Sequence, residues 1–471
     1  MREREFRDLL SLAMDGIAAW ESRWPAFDAD AGLDVPPALA RAALAELIDR
    51  LHDNYPFFHP DYAGQMLKPP HPVAMAAYLA AMRINPNNHA LDGGPATAAL
   101  EREAVAQIAA MFGYGAGHLA HLTASGTIAN LEALWVSAKR QPGRAVVVSS
   151  EAHYTHVRMC ALLGVPTIVL PVEHAGRLDL DALRALPDSA NVGTVVATPG
   201  TTAAGAIDRI DAIVEIARKR RWRVHADAAY GGFFSIIAGE ADARLDSGPW
   251  QALAACDSIV VDPHKHGLQP YGCGCVLFKD ASVAELYAHD SPYTYYSQRS
   301  SQDDRYPQAA AVHLGEISLE CSRPGAAAAA LWTTLRCLPL RPSGLGAILL
   351  RCRQAALAVF DRARAGKILM PVVEPQLDIV GLAPAAAREP AAASAVSRRT
   401  ESIFAAGASD SREPLYVAKW RVPQAFGRLA LPNIIWDEPE CTVLRCVFMK
   451  PEHAERAERI VERLEEQALR L

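Results

Sequence analysis

The sequence lacks the features of a membrane protein, a nucleic-acid-binding protein or a disulfide scaffold. No run of about 18 apolar residues occurs, so we expect no membrane span, and MREREFRDLL lacks the apolar stretch of a secretory signal. Acidic and basic residues nearly balance, 53 against 47, which gives no reason to expect a nucleic-acid partner. The nine cysteines are scattered and odd in number, which is typical of reduced thiols in the cytoplasm.

What the chain does have is length and a globular composition. Its 471 residues are 51% hydrophobic and 21% charged, which is enough for one large core and a second, smaller domain. Cys273 and Cys275 stand closest together among the cysteines. A structural zinc site needs four ligands, and two cysteines on one strand face supply only two of them. We therefore interpret both as buried thiols and expect no metal.

Between residues 96 and 280 the chain alternates helical segments with short β-branched runs. The helical segments are 96–112, 126–139, 152–163 and 209–219, and the apolar runs are 145–150, 167–171, 194–198, 222–227, 258–262 and 275–278. This alternation indicates an α/β fold with a mostly parallel sheet covered on both faces. Such sheets bind ligands at the carboxyl ends of their strands, where Ser149, Thr198, Asp227 and Asp262 fall.

The alternation is regular only in the middle of the chain, which suggests that the protein has three parts. Residues 1–80 form a Pro-rich, aromatic lead-in, residues 81–330 a large domain, and residues 331–471 a small C-terminal domain. The segment 382–404, rich in Ala, Ser and Pro, is interpreted as a surface excursion. The charged amphipathic pattern of 453–469 predicts a helix that docks on the small domain.

Two strand ends carry residues suited to cofactor chemistry. In DSIVVDPHKHG an apolar strand delivers Lys265 into a loop beside the polar residues Asp262 and His264. A lysine in a loop is ordinarily solvated, but a buried amine can form an imine with an aldehyde cofactor. In WRVHADAAYGG the carboxylate of Asp227 ends another strand. It is either a helix cap or surface acid, or a partner for a protonated pyridine nitrogen.

Three further segments fall at the same edge of the predicted sheet. HLTASGTIANLEAL opens a helix with Ser125 and Thr127, which suit a phosphate but are also ordinary N-caps. SSEAHYTHVRM places His153 just after a strand, either as a structural histidine or as a ring stacked on a cofactor. ATPGTTAAGAID adds Thr201 and Thr202 in a Gly-rich turn.

Together and in this order, these motifs resemble the group II pyridoxal-phosphate-dependent decarboxylases, which include aromatic amino-acid and glutamate decarboxylases. DPHK, HADAAYGG, TASGTIAN, EAHYTH and ATPGTT stand in the family's order, and the resemblance covers residues 55–330. It implies pyridoxal 5′-phosphate as cofactor and a PLP-dependent transferase-like fold of the aspartate aminotransferase type (fold type I). It also implies a small C-terminal α+β domain and a homodimer with shared active sites, packed through the lead-in.

The resemblance also assigns roles to residues. It implies that Lys265 is the imine lysine, that Asp227 faces the pyridine nitrogen, and that His153 stacks on the ring; these three are the expected catalytic residues. The other expected cofactor contacts are Ala229 on the opposite ring face, Thr202 near the ring, and Ser125, Gly126, Thr127 and His264 near the phosphate or the imine.

Substrate contacts are matched more weakly. HPDYAGQM makes Gln65 a candidate, and TVLRCVF makes Arg445 a candidate, because a guanidinium fork fits a carboxylate; a surface arginine is the alternative. Many family members carry a proton-donating tyrosine in a mobile loop, and none of the five tyrosines in residues 279–323 matches that motif. They are Tyr287, Tyr293, Tyr295, Tyr296 and Tyr306. We expect Tyr293, Tyr295 and Tyr296 to reach the neighbouring site.

The function implied is decarboxylation of an L-amino acid to its amine, through a Lys265 Schiff base and a quinonoid intermediate. Interception of that intermediate by oxygen would give an aldehyde instead, and a carbon–carbon lyase on the same scaffold is a third possibility. The complete Lys265 and Asp227 set argues against a non-catalytic regulatory protein. The sequence leaves the substrate open, because the aromatic residues of the lead-in suit an aromatic pocket and a dimer interface equally; they are Tyr55, Phe57, Phe58 and Tyr62.

Overall fold

The computed structural model describes residues 2–89, 93–287, 317–385, 390–410 and 412–470. Tyr293, Tyr295 and Tyr296, which are predicted to reach a neighbouring site, lie outside these residues. Within the described ranges, each helix is too short or too polar to cross a membrane.

Helices and strands alternate along most of the chain. The helices are α1 (Glu3–Glu21), α2 (Pro37–Leu51), α3 (Pro72–Ile84), α4 (Pro95–Met111), α5 (Gly126–Arg140), α6 (Thr155–Leu163), α7 (Leu180–Arg184), α8 (Ile210–Arg220), α9 (Gly248–Gln251), α10 (Ala284–Tyr287), α11 (Gly325–Cys337), α12 (Leu345–Ala365), α13 (Ala393–Ser409), α14 (Gln424–Ala430) and α15 (His453–Arg470). The strands are β1 (Tyr62–Ala63), β2 (Leu119–Thr123), β3 (Ala145–Ser149), β4 (Thr167–Leu170), β5 (Val192–Ala197), β6 (Arg223–Asp227), β7 (Ser258–Val261), β8 (Gly274–Phe278), β9 (Met370–Pro371), β10 (Ile379–Ala383), β11 (Ala391–Ala392), β12 (Tyr416–Pro423), β13 (Ile434–Ile435) and β14 (Glu440–Val447).

The larger sheet has the order β2-β8-β7-β6-β5-β3-β4 within the described residues. Neighbours from β7 to β4 pair in parallel, whereas β8 runs antiparallel to both β7 and β2. Every residue of β3, β5, β7 and β8 is buried, as expected when helices cover both faces of a sheet. The predicted α/β fold with a mostly parallel sheet is therefore confirmed.

The six apolar runs of the sequence are confirmed as β3 to β8, but β2 was missed. Its sequence LAHLT places a histidine in the middle of a buried strand, a residue that does not suggest an interior position. The structure accommodates His121 because its Nε2 lies 3.0 Å from the Glu132 carboxylate, and both side chains are fully buried. A buried polar group is tolerated when it is paired.

A second sheet, β1-β12-β14-β10-β9, gathers the C-terminal strands and the short strand β1. The predicted tail helix is present as α15, which buries Ile460, Val461 and Leu464 against Leu444 of β14. Cys273 and Cys275 are buried thiols, as predicted. The division into residues 1–80, 81–330 and 331–471 stays a prediction.

The interpretation of 382–404 as a surface excursion is wrong. From Ala393 onwards the segment belongs to α13, which buries Val396, Thr400 and Ile403. These residues recur at helical spacing, so one face of α13 joins the core beside β12 and β14. The Ala-rich composition concealed this face because few strongly apolar residues mark it.

A buried ion pair connects α4, β2 and the segment that leads into α11. Glu101 and Arg323 are 1% and 5% exposed, and their Oε1 and Nη1 atoms lie 2.6 Å apart. Glu101 also accepts hydrogen bonds from the Leu122 backbone and the Asn88 amide. Arg323 donates to the Leu122 and Asn88 carbonyls. Removing either charge would leave the other buried without its partner.

We expect Glu101→Gln to lower the free energy of unfolding by about 3–5 kcal/mol, because it strands the buried guanidinium of Arg323. Urea unfolding followed by circular dichroism measures this change. The matched control is Glu215→Gln, which breaks the exposed Glu215–Lys219 pair on α8 and should leave the transition unmoved. A Glu101→Gln protein as stable as the control would contradict this account of the pair.

Candidate active site

The carboxyl edge of the larger sheet opens into a cavity of about 240 Å³. It lies where β3, β5, β6 and β7 end, as the sequence predicts for a parallel sheet. All the predicted cofactor contacts line it: Ser125, Gly126, Thr127, His153, Thr202, Asp227, Ala229, His264 and Lys265. Segments spread over 141 positions of the sequence therefore meet at one site.

Lys265 reaches the cavity from the loop that follows β7. Its Nζ lies 3.0 Å from Oδ2 of Asp262, and its side chain is 22% exposed. Burial by itself would lower the pKa of Lys265, but the carboxylates of Asp262 and Asp227 outweigh burial and raise the pKa above its usual value. The lysine is thus a largely buried cation in contact with Asp262, rather than a freely solvated loop lysine.

Asp227 ends β6 and is 5% exposed. Its Oδ2 lies 2.8 Å from Nε2 of His156, and its Oδ1 accepts the Ala229 backbone N–H at 3.2 Å. Burial alone would raise the pKa of Asp227, but the His156 bond and the nearby positive charges hold the pKa well below its usual value. The side chain is therefore an anion at neutral pH, with its orientation fixed.

The sequence assigned no role to His156 or Asp262, which contact the predicted catalytic side chains. His156 lies in the same EAHYTH motif as His153, three positions later, and is fully buried against Asp227. Asp262 was noted only as a polar strand end, yet it is 2% exposed, lines the cavity and pairs with Lys265. The position of Asp262 at the end of β7 was the signal that could have identified it.

The N-terminus of α5 forms one end of the cavity. Ser125 caps the helix, because its Oγ accepts the Ile128 backbone N–H at 3.3 Å. Gly126 follows, and a Cβ at this position would lie 2.5 Å from Oδ2 of Asp262, so only glycine fits without displacement. The first N–H groups of a helix lack intrahelical acceptors, and they favour an anion.

His153 and Ala229 also line the cavity. His153 Nδ1 lies 2.7 Å from the Thr155 hydroxyl, and burial lowers the pKa of the imidazole, so the ring is neutral near pH 7. Ala229 presents only a methyl group and is 9% exposed. His153 therefore presents a flat, neutral ring to the cavity, and Ala229 presents a small apolar surface.

Arg445 lies in β14 and is 6% exposed, so the alternative of a surface arginine is wrong. Its Nε donates to the Ala203 carbonyl at 2.9 Å and its Nη2 to the Thr202 carbonyl at 2.5 Å. The guanidinium thereby holds the turn that carries Thr202. Among the described residues Arg445 is outside the cavity lining, and its contact with a substrate carboxylate stays a prediction.

Gln65 and the aromatic lead-in stand apart from the cavity lining. Gln65 is exposed, and its backbone N–H donates to the Tyr62 hydroxyl at 3.2 Å. The aromatic rings pack on one another. The ring centroids of Phe57 and Tyr62 lie 5.0 Å apart, and those of Tyr55 and Tyr416 lie 5.1 Å apart. A substrate role for Gln65 stays a prediction.

Comparisons with known proteins show which family the chain resembles. Residues 57–365 match the family model of the pyridoxal-dependent decarboxylase conserved domain. An L-tyrosine decarboxylase of Enterococcus faecium is 27% identical over 384 residues, which are 61% of this chain and 61% of that enzyme. A probable L-tyrosine/L-aspartate decarboxylase of Methanothermobacter thermautotrophicus is 30% identical over 325 residues, which cover 67% of this chain and 81% of that protein.

Solved structures share the fold over almost the whole chain. TDC of Oryza sativa, solved with PLP and tryptamine, has a TM-score of 0.76 at 17% identity and covers 99% of both chains. The glutamate decarboxylase domain from Vibrio parahaemolyticus has a TM-score of 0.73 at 18% identity, covering 99% of this chain and 96% of that one. The predicted fold type I is confirmed. Because the family model matches more than half of the sequence, this chain belongs to the pyridoxal-dependent decarboxylase family, with pyridoxal 5′-phosphate as its cofactor.

Proposed function

We propose that the protein decarboxylates an L-amino acid to the corresponding amine and binds pyridoxal 5′-phosphate covalently through Lys265. One observation carries the proposal: Lys265, whose side chain is 22% exposed, and a buried, oriented carboxylate, Asp227, line the same cavity at the carboxyl edge of the sheet. Charged groups are costly to bury, and ionisable groups with shifted pKa values that share a cavity are typical of functional sites.

The cavity fits this cofactor at both ends. The start of α5 suits the phosphate, because Gly126 leaves no side chain in the way and the helix end favours an anion. Thr198 Oγ1 is buried in the cavity lining and has no hydrogen-bond partner among the described residues, so a donor is available to a bound ligand. Asp227 supplies the negative charge that a protonated pyridine nitrogen requires.

Each residue then has a task in the proposed reaction. The bound cofactor supplies an electron-poor ring that draws in the electron pair left when a bond to the substrate Cα breaks. Asp227 would favour a proton on the ring nitrogen, and His156 keeps Asp227 oriented through their 2.8 Å contact. Lys265 would hold the cofactor between turnovers, and the neutral ring of His153 and the methyl of Ala229 would contact its ring.

Tyrosine and aspartate are the first substrates to test. The two relatives described above are named for tyrosine or for tyrosine and aspartate, and this chain spans 61% of the Enterococcus faecium enzyme. The product, amine or aldehyde, must be identified along with the substrate. We place the reaction in the cytoplasm, since all nine cysteines are free thiols.

We also propose that the protein is a homodimer with shared active sites. Helices α1 and α2 bury none of their residues within one chain. On α2, Leu44, Leu47, Ile48 and Leu51 recur at helical spacing and are each more than half exposed, at 51–58%. An apolar stripe of this kind is expected to be covered by a partner, and two-fold dimers are the commonest closed assembly.

We expect Lys265→Ala to abolish both CO₂ release and the covalent attachment of the cofactor. Borohydride reduction of the wild-type protein should fix the cofactor to the peptide that contains Lys265, and release of CO₂ should then be assayed across the amino acids, beginning with tyrosine and aspartate. The control Lys279→Ala changes an exposed lysine just after β8 and should retain both properties. Labelling of a different lysine would overturn the assignment.

We expect Gly126→Ala to weaken cofactor binding about tenfold or more. The added methyl would lie 2.5 Å from the Asp262 carboxylate, and forcing an extra carbon into a packed site costs about 1–3 kcal/mol. Fluorescence titration of the apoprotein with pyridoxal phosphate measures the dissociation constant. Gly115→Ala is the control, because its Cβ would have no atom within 4 Å. Equal affinity in both variants would contradict the proposal that the cofactor phosphate binds at the start of α5.

We expect the double variant Leu47→Arg, Ile48→Arg to be a monomer. Its activity should fall along with the loss of the dimer. Two buried charges in an apolar interface have no compensating partners. Light scattering after size exclusion gives the mass of each species. Leu469→Arg, at the exposed end of α15, serves as the control and should remain dimeric. A wild-type protein that is monomeric and fully active would contradict the shared-site assembly.

A further inference from the structure

Asp262 is a buried carboxylate for which neither the family motifs nor the proposed reaction provides a task. It follows β7, is 2% exposed, and its Oδ2 lies 3.0 Å from Lys265 Nζ. Its other oxygen, Oδ1, is buried and has no hydrogen-bond partner among the described residues. Asp262 is therefore in contact with the amine that reacts with the cofactor, and it has unused capacity to accept a proton.

The neighbouring histidine does not occupy that capacity. His264 Nδ1 lies 2.7 Å from the Cys273 carbonyl, which can only accept, so Nδ1 carries the ring proton. Burial lowers the pKa of His264 and keeps the ring neutral. Its Nε2, 3.5 Å from Asp262 Oδ2, then presents a lone pair and donates nothing. Lys265 is thus the side chain that donates to Asp262 Oδ2.

The second carboxylate near Lys265 is already committed. Asp227 uses Oδ2 to contact His156 Nε2 at 2.8 Å and Oδ1 to accept the Ala229 N–H. In the proposed function it also serves the ring nitrogen. Of the two acids that raise the pKa of Lys265, Asp262 is the one that touches the amine and is free to take its proton.

We propose that Asp262 is the proton acceptor and donor for attachment of the cofactor to Lys265, an inference that rests on the proposed role of Lys265. The ammonium gives one proton to Asp262, and the neutral amine adds to the aldehyde carbon of pyridoxal phosphate. Asp262 returns this proton to the adduct oxygen, then takes a second proton from the adduct nitrogen and passes it to the same oxygen, which leaves as water. A C=N bond replaces a C=O bond, two of the three ammonium hydrogens leave with the water, and one stays on nitrogen.

The proton stays within the pair, so attachment in the wild-type protein should be insensitive to pH between about 6.5 and 8.5, where free carboxyl and lysine groups do not titrate. The pKa shifts of the other groups that face Lys265 favour one charge state for each of them in this range. Burial lowers the pKa of His153, His264 and His266 and raises that of Tyr271, and Asp227 remains an anion.

The test is the rate at which apoprotein takes up pyridoxal phosphate, followed by stopped-flow absorbance against pH. In Asp262→Asn the proton must pass to solvent, so the rate should rise about tenfold per pH unit, while the wild-type rate stays flat. The matched control is Asp257→Asn, at the other end of β7 and outside the cavity lining, which should behave as wild type. Dividing each rate by that of Asp257→Asn removes the cofactor's own ionisations.

A second variant tests the same step if Asp262→Asn folds poorly. In Asp262→Ala, added acetate should accelerate cofactor uptake in proportion to its concentration, because a small carboxylate replaces the missing base; Asp257→Ala should not respond. A wild-type rate that rises tenfold per pH unit, or an Asp262→Asn rate as flat as the control, overturns the proposal. If borohydride instead labels another lysine in the wild-type protein, the proposed function fails first, which separates the two outcomes.

Discussion

The structure is organised around one costly requirement, which is to keep a positively charged lysine inside a protein. Lys265 lies in the loop after β7, where burial disfavours its charge. Two carboxylates offset this cost, Asp262 from its own loop and Asp227 from the end of β6. A parallel sheet supplies both acids naturally, because its strands end at the same edge. The lysine, the acids and the cavity are thus consequences of one topology.

Buried acid–base contacts extend from this edge and connect the two sheets. Tyr230, three residues after Asp227, donates its hydroxyl to Asp378 at 2.7 Å, and His266, next to Lys265, lies 3.2 Å from the same carboxylate. Asp378 immediately precedes β10 of the smaller sheet. Both loops that carry the charged site residues therefore rest on one carboxylate of the C-terminal part. Arg445 of β14 adds a third connection through the turn that carries Thr202.

Much of this was accessible from the sequence because it depends on local pattern. Short β-branched runs predicted β3 to β8, and polar residues after those runs predicted the edge at which they meet. The amphipathic repeat of 453–469 predicted α15 in the same way. Prediction failed where the local pattern was weak. The strand β2 was missed because His121 interrupts its apolar pattern, and the buried face of α13 was missed because the stretch is rich in Ala.

The sequence by itself determined the mostly parallel sheet and the set of segments that surround the cavity, since strand periodicity and strand-end residues are local properties. Only the tertiary structure decided which polar side chain contacts which. His153 and His156 share one motif, yet His156 bonds Asp227 while His153 borders the cavity. Arg445 is committed to backbone carbonyls 242 and 243 positions away. Such partners are determined by the packing of strands that are distant in the sequence, and no local sequence pattern specifies which distant residues come into contact.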